Sequence, residues 1–279
     1  MRSVLISGCS SGIGRASCSC LARDGWRVFA GVRSDADARS VEAEAGSVTA
    51  IRLDVTDTGS INAARGQIER ELDGVLDALV NNAGIAVGGA LETVPPRDLH
   101  HILDVNVVGQ VAVTQAFLPL LRTARGRILF IGSVGGRVAF PYAGPYHASK
   151  FALEAVASSM RAELRPQGVS VSLLEPGPIA TPIWAKAKGQ VASLRAGLDG
   201  EAGSLYAEEL QGFEKRLGSA AESGGQAEEV AGKVLQVLRA GSPASRYQVG
   251  RGAKTLVSLR PLMPDALFDR LARRFTAGR

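Results

Sequence analysis

The chain has 279 residues, of which 46% are apolar and 21% are charged, so it can bury a full hydrophobic core. Its three cysteines all lie within residues 9–20. An odd number of cysteines with no histidine cluster beside them argues against a disulfide framework and against a metal site. We find no signal-peptide pattern and no apolar stretch free enough of charge to span a bilayer. We therefore expect a cytoplasmic protein without a transmembrane segment.

The net charge of +5 is concentrated near the C-terminus, where residues 246–279 contain eight basic and two acidic residues. No nucleic-acid-reading module accompanies this segment, so we expect no nucleic-acid partner. A membrane-surface role is one alternative, because apolar and basic residues are mixed there. Packing on the body or at a subunit contact is the favoured interpretation of the apolar residues. The residues concerned are Leu267, Phe268, Leu271, Arg270, Arg273 and Arg274.

The first predicted strand, residues 2–7, leads into a turn rich in glycine and serine. Glycines at this point allow a tight turn and let a phosphate approach the backbone, and the helix that follows favours negative charge at its N-terminus. The spacing is G-x-x-x-G-x-G rather than the common G-x-G-x-x-G. The turn is therefore a predicted dinucleotide-binding loop, with the candidate residues Gly8, Ser10, Ser11, Gly12, Ile13 and Gly14.

The second predicted strand, residues 26–33, ends at Arg33 and carries no carboxylate there. In a dinucleotide-binding fold this strand end meets the adenosine ribose. An acidic residue at this point suits the 2′-hydroxyl of NAD, whereas an arginine accommodates the 2′-phosphate of NADP. Arg33 therefore favours NADP(H), with NAD(H) as a possible cofactor.

The next four predicted strands, residues 48–53, 75–80, 127–131 and 169–174, alternate with helical patterns. This alternation predicts right-handed parallel crossovers and a doubly wound α/β sheet. Each strand ends in candidate binding residues, where ligands bind in sheets of this kind. In chain order these are Asp54 and Val55, then Asn82, Ala83 and Gly84, then Ser133, then Pro176, Gly177, Ile179 and Thr181.

Three polar residues occur on predicted helices. Asn106 lies in an apolar part of a helix predicted over residues 97–121, where an amide is costly unless it is hydrogen-bonded. Tyr146 and Lys150 are four residues apart, so both side chains leave the same helix face. An ammonium near a phenol favours the phenolate, which suits a general acid/base acting on an alcohol oxygen.

Beyond residue 182 the pattern loosens. Residues 183–225 are rich in Gly, Ala and Ser, with a helical patch over residues 201–217 and an exposed-looking pair, Ile183 and Trp184. Residues 226–240 read as a helix, residues 246–249 as a last short strand, and helical pieces close the chain.

Taken together, these motifs resemble the short-chain dehydrogenase/reductase family over residues 4–181. The resemblance rests on five motifs in order: Ser7 to Gly14, Asn81-Asn82-Ala83-Gly84, Asn106, Ser133, and Tyr146 with Lys150. It implies a single Rossmann-type domain over residues 1–279, with a seven-stranded parallel sheet and helices on both faces. It also implies a substrate lid at about residues 183–225 and a C-terminal helical extension at about residues 250–279.

The resemblance implies hydride transfer between nicotinamide and a carbonyl or alcohol carbon. Tyr146 would be the acid/base, Lys150 would lower its pKa and bind the nicotinamide ribose, and Ser133 would hydrogen-bond the substrate oxygen. Asn106 would hold a water that joins Lys150 to solvent. The glycine turn would carry the cofactor phosphates and the remaining strand-end residues the adenosine and nicotinamide ends.

A narrower likeness is to the branch that holds 17β-hydroxysteroid and retinol dehydrogenases. It rests on residues 146–154, on the region of Trp184 and on residues 246–250. It implies a small lipophilic alcohol, ketone or aldehyde as substrate, and a homodimer or homotetramer. The alternative function is that of an NAD(P)-binding regulator without turnover.

Overall fold

Seven parallel strands form one sheet in the order β3-β2-β1-β4-β5-β6-β7. The computed structural model describes residues 1–44, 47–250 and 252–277, with side chains described as far as residue 274. The apolar strands are buried on both faces, as a parallel sheet covered by helices requires. The strands are β1 Ser3–Ile6, β2 Arg27–Val32, β3 Val48–Arg52, β4 Ala78–Asn81, β5 Arg127–Ile131, β6 Ser170–Pro176 and β7 Arg246–Val249.

The eleven α-helices of the described residues connect and follow these strands. Three of them (α1, α2 and α9) pack on one face of the sheet, and three (α3, α5 and α6) pack on the other. This arrangement confirms the predicted doubly wound fold. The helices are α1 Gly12–Arg23, α2 Asp35–Glu42, α3 Thr58–Glu71, α4 Pro96–Leu103, α5 Gly109–Ala124, α6 Gly144–Leu164, α7 Pro182–Ala196, α8 Gly200–Ser223, α9 Ala227–Arg239, α10 Ala253–Leu259 and α11 Asp265–Ala277.

The helix predicted over residues 97–121 is longer than expected and is not uniform. A π-helical turn, Asp104–Val108, joins α4 to α5, and the N–H of Gly109 donates to the carbonyl of Asp104, five residues back. By length and composition alone the whole stretch, Pro96–Ala124, could cross a membrane. The expectation that no stretch of the chain is apolar enough to do so was therefore wrong. In the fold its apolar side chains, among them Val113 and Phe117, pack under the sheet.

The segment after residue 182 is more ordered than its composition predicts. Helices α7 and α8 pack against each other around a small core of their own, which includes Val191, Leu210 and Phe213. The chain then returns to the sheet edge, where the N–H of Ala180 donates to the carbonyl of Gly225 at 2.9 Å. The expectation of a loose segment with one helical patch was therefore wrong, because contacts between α7 and α8 stabilise both helices.

Two acidic side chains are buried where α6 meets the last two strands. Glu175, fully buried on β6, lies 3.6 Å from Arg137 and accepts a hydrogen bond from Gln248. Glu154 on α6 accepts from Arg246 at 3.0 Å. Burial, together with the neighbouring Glu175 carboxylate, raises the pKa of Glu154 to about 7, although Arg246 opposes the shift.

This raised pKa predicts how stability depends on pH. The pKa of Glu154 in the unfolded chain is about 4.3. The folded chain therefore binds the proton more tightly between that pH and about 7, and the free energy of unfolding falls as pH rises through this window. We expect Glu154→Gln, which stays neutral, to lose less stability than the wild type between pH 4.5 and pH 7.5 in urea unfolding.

The matched control is Glu163→Gln, an exposed glutamate on the same helix. This control is expected to follow the wild-type dependence of stability on pH. Identical pH dependence in all three proteins would show that Glu154 does not take up a proton in this range.

Candidate active site

The glycine turn lies between the end of β1 and the start of α1, at the carboxyl edge of the sheet. Gly8 and Gly12 have φ values of +72° and +57°, which favour glycine. A Cβ on Gly14 would lie 2.3 Å from the carbonyl oxygen of Gly8. Ser11 precedes the helix without capping it through its side chain, so the first N–H groups of α1 remain available to an anion. The turn is thus shaped for close approach of a phosphate.

Asn82, which follows β4, holds this turn in place. Its side-chain amide donates to the carbonyls of Ser7 and Gly8 at 2.9 and 3.0 Å. In return, the hydroxyl of Ser7 accepts from the backbone N–H groups of Asn82 and Ala83, both at 3.0 Å. The side-chain amide of Asn82 is therefore committed to the loop, and its role is to orient the turn rather than to extend into the open space.

A cavity of about 450 Å³ opens in front of the turn and extends along the carboxyl ends of the strands. Of the 20 residues that the sequence predicts for the site, 17 line this cavity. Segments that lie up to 173 positions apart in the chain therefore meet at one edge of the sheet. The 17 residues are Gly8, Ser10, Ser11, Gly12, Ile13, Arg33, Val55, Asn82, Ala83, Gly84, Ser133, Tyr146, Lys150, Pro176, Gly177, Ile179 and Thr181.

Three predicted residues do not line the cavity. Gly14 lies behind the turn, where its lack of a side chain lets α1 pack close to Gly8. The carboxylate of Asp54 accepts from the backbone N–H and the hydroxyl of Thr56, at 2.9 and 2.7 Å. Asn106 is fully buried. For these three residues the structure gives supporting roles in the geometry of the site.

The phenol of Tyr146 and the ammonium of Lys150 come together near Ser133. Both belong to α6, and the Lys150 nitrogen is 5.9 Å from the centre of the Tyr146 ring. The ammonium also donates to the carbonyl of Ile131 at the end of β5, at 3.0 Å. Ser133, two residues further on, lies close enough to the Tyr146 phenol to lower its pKa. A hydroxyl pair and a cation therefore face the same cavity.

The pKa values in this group differ in part from the sequence-based expectation. Burial raises the pKa of the Tyr146 phenol, and the hydrogen bond with Ser133 only partly offsets this. The lowering of this pKa by Lys150 stays a prediction. Burial also lowers the pKa of Lys150 to about 8, so its own charge is costly to keep.

Asn106 occupies the π-helical turn and bridges two elements. Its side-chain amide exchanges hydrogen bonds with the backbone of Ile85, at 2.8 and 2.9 Å. It also donates to the hydroxyl of Ser149 on α6 at 2.9 Å. This network joins the loop after β4 to the helix that carries Tyr146 and Lys150, so a fully buried amide is satisfied as its cost requires.

His147 supports the other side of the serine turn. Its Nδ1–H donates to the carbonyl of Gly135 at 2.8 Å, and burial lowers its pKa. Gly135 has no room for a side chain, since a Cβ there would lie 2.9 Å from the histidine ring. This contact sets the position of the Ser133 turn relative to α6.

Several cavity residues were missing from the sequence-based set. Trp184 lies half-buried rather than exposed, because its indole N–H donates to the carbonyl of Ile179 at 2.8 Å and its ring meets Tyr146. The apolar character of Trp184 was the only feature of the local sequence that indicated a place in the cavity. Nothing in the local sequence indicated that Asp98 and His101 on α4 line the cavity, because only the packing of that helix brings them near the site. The residues added include Ile85, Ala86, Val87, Asp98, His101, Ile183, Trp184, Lys186 and Gln190.

Comparison with known proteins identifies the class. The family model described as short chain dehydrogenase matches residues 2–192, so the chain belongs to the short-chain dehydrogenase/reductase family and is an oxidoreductase. A solved short-chain dehydrogenase from Streptomyces avermitilis has 26% identity and a TM-score of 0.77, with 100% of this chain and 97% of that one covered.

Two curated relatives are more similar in sequence. A NADPH-dependent 3-dehydrocapnine reductase from Ornithobacterium rhinotracheale is 34% identical, over 97% of this chain and 96% of its own length. The 17-beta-hydroxysteroid dehydrogenase type 1 of Homo sapiens is 39% identical, over 88% of this chain and 76% of its own length. These relatives are named as enzymes and give no support to the alternative of a regulator without turnover.

The close packing at Gly14 leads to a test of the turn. Gly14→Ala places a methyl group against the backbone of Gly8 and is expected to destabilise the fold by about 1–3 kcal/mol, through overpacking. Urea unfolding would measure the change. The matched control is Gly232→Ala on α9, where a Cβ has open space, and this variant is expected to be as stable as the wild type or more so. Equal stability of the two variants would contradict the packing role of Gly14.

Proposed function

We propose that the chain transfers a hydride between NADP(H) and the carbonyl or alcohol carbon of a lipophilic substrate. The observation that supports this proposal is the convergence of Tyr146, Ser133 and Lys150 on the cavity that the glycine turn borders. The turn fits a dinucleotide, because Gly8 and Gly12 line the cavity at positive φ and no side chain caps the first N–H groups of α1. The bound nicotinamide supplies the hydride.

In the direction of reduction, the Tyr146 phenol donates its proton to the substrate oxygen as the carbonyl carbon is reduced. Ser133, which lines the cavity beside that phenol, orients the same oxygen through its hydroxyl. Lys150 holds a positive charge beside the phenol and favours the phenolate that remains. A proton then returns to Tyr146 along Lys150 and the region of Asn106, where the π-helical turn interrupts the regular pairing of helix carbonyls.

The preference for NADP(H) rests on Arg33. This residue is exposed at the end of β2, lines the adenosine end of the cavity, and has no carboxylate beside it in the sequence. An arginine at this point pairs with a 2′-phosphate. The names of the relatives agree: one is a NADPH-dependent reductase, and a solved alcohol dehydrogenase from Thermococcus sibiricus with 25% identity is complexed with 5-hydroxy-NADP.

The lipophilic substrate class rests on the opposite end of the cavity. The lining there is largely apolar, with Ala86 and Val87 from the loop after β4 and Ile183 and Trp184 from α7. Such a lining binds apolar molecules with few polar anchors. The lid at about residues 183–225 corresponds to helices α7 and α8, of which α7 contributes lining residues, and the helical extension at about residues 250–279 would lie beside it. The 17-beta-hydroxysteroid dehydrogenase relative is consistent with a bulky apolar carbonyl.

The same proposal includes a homodimer or homotetramer. Val108 and Phe151 are 58% and 45% exposed on the helical layer that holds α5 and α6, which is a large apolar exposure for a single copy. A second copy would cover these side chains. The choice between a dimer and a tetramer depends on a second contact.

The role of Tyr146 is tested by Tyr146→Phe. A panel of steroid, retinoid, fatty and polyketide-like carbonyls is screened with the wild type by the loss of NADPH absorbance, and the best substrate is used. We expect kcat to fall about 10²–10⁴-fold, because the proton donor is lost, while the Kd of NADPH changes little. Tyr247→Phe, which removes a phenol outside the cavity, is the control and is expected to keep its activity. Full turnover by Tyr146→Phe would refute the assigned role.

The role of Arg33 is tested by Arg33→Ala. Loss of the pairing with a phosphate is expected to raise the Kd of NADPH by about tenfold or more and to leave the Kd of NADH nearly unchanged. Titration of cofactor fluorescence measures both constants. Arg39→Ala, an exposed arginine on α2 that does not line the cavity, is the control. An equal loss of affinity for both cofactors would contradict recognition of the 2′-phosphate.

A further inference from the structure

The C-terminal helix α11 is attached to the body by one face. Phe268 and Ala272 are buried on that face, and the ring of Phe268 lies 5.8 Å from that of Phe140. Arg260 stacks over Phe268 at 4.4 Å and pairs with Asp265. The predicted apolar stripe is therefore divided, because Phe268 packs on the body and its two leucine neighbours do not.

The outward stripe of α11 combines leucines with arginines. Leu267 and Leu271 are four residues apart, as are Arg270 and Arg274, so the four residues lie on one helix face, and all four are exposed. Leu262 precedes the helix and is 80% exposed. Of the ten large apolar residues exposed in the described part of the chain, four lie within residues 259–271. The concentration is too local to be a scatter of single residues.

The charge of this surface restricts what can cover it. Neither Arg270 nor Arg274 makes an ion pair with the residues whose side chains the structure describes. A second copy packed stripe against stripe would place four arginines in one contact, which like-charge repulsion disfavours. A phospholipid layer with an apolar interior and a negatively charged surface complements both residue types. Leucines enter the acyl region and arginines remain at the phosphates.

We propose that the outward stripe of α11, with Leu262, docks the protein on an anionic phospholipid surface. Helix α11 packs against α8 of the lid, so docking would bring the lid beside the bilayer. If the substrate is lipophilic, a consequence that rests on the proposed function, it could then pass from the bilayer to the cavity without crossing water. Docking itself requires no catalytic activity.

The experiment is flotation of the full chain with vesicles of phosphatidylcholine, with and without phosphatidylglycerol, at low and at about 0.15 M salt. We expect binding to the anionic vesicles that weakens with salt. Leu267→Glu with Leu271→Glu is expected to reduce binding at least about tenfold through loss of apolar insertion. Arg270→Glu with Arg274→Glu is expected to reduce it about 20-fold or more, through loss of attraction to the phosphates.

The control is Val75→Glu. Val75 is an apolar residue that is 39% exposed and precedes β4, so it lies at the amino ends of the strands, whereas the cavity lies at their carboxyl ends. It is expected to bind vesicles as the wild type does. Circular dichroism and NADPH titration verify that each variant is folded. Failure of the wild type to bind anionic vesicles at low salt, or unchanged binding in both stripe variants, would overturn the proposal. The proposal would also be overturned if the protein bound no vesicles but formed a dimer that Leu267→Glu with Leu271→Glu dissociates. Failure of Tyr146→Phe to lose activity would instead affect only the proposed function.

Discussion

The site depends on the hydrogen bonds that join the carboxyl ends of β1 and β4. In the strand order, β1 has β2 on one side and β4 on the other, so the connections that follow these strands leave for different faces of the sheet and a crevice remains between them. The reciprocal bonds of Ser7 and Asn82 fix the glycine turn at that crevice. Without them the turn would have no defined orientation, because its glycines restrict the backbone very little.

A second set of contacts aligns the reactive groups with the turn. Lys150 is anchored to the end of β5 through the Ile131 carbonyl, His147 holds the Ser133 turn through Gly135, and Asn106 links α6 to the loop after β4. Lys150, His147 and Ser149, the partner of Asn106, therefore connect α6 to three other segments of the chain. Their common effect is to hold the Tyr146 phenol at the cavity with little freedom to move, which is the condition for efficient proton transfer.

The C-terminal third connects substrate access with the outer surface. Helix α7 contributes residues to the cavity lining, α8 packs on α7, and α11 packs on α8. Buried acids on α6 and β6 join this region to β7 through Arg246 and Gln248. The lid, the C-terminal helix and the last strand thus form one connected layer.

The sequence by itself determined the order of strands and helices up to residue 176, the last strand, and most of the site, because apolar periodicity, glycine turns and strand-end motifs are local properties. The cap of α3, in which the Asp57 carboxylate accepts from the N–H of Gly59 at 2.8 Å, is a local feature of the same kind. Only the tertiary structure decided that α7 is a helix, that Phe268 turns inward while Leu267 does not, and that burial raises the pKa of Tyr146. Each of these depends on contacts with segments remote in sequence. Burial and the electrostatic energy it sets are properties of the assembled fold, and no local pattern encodes them.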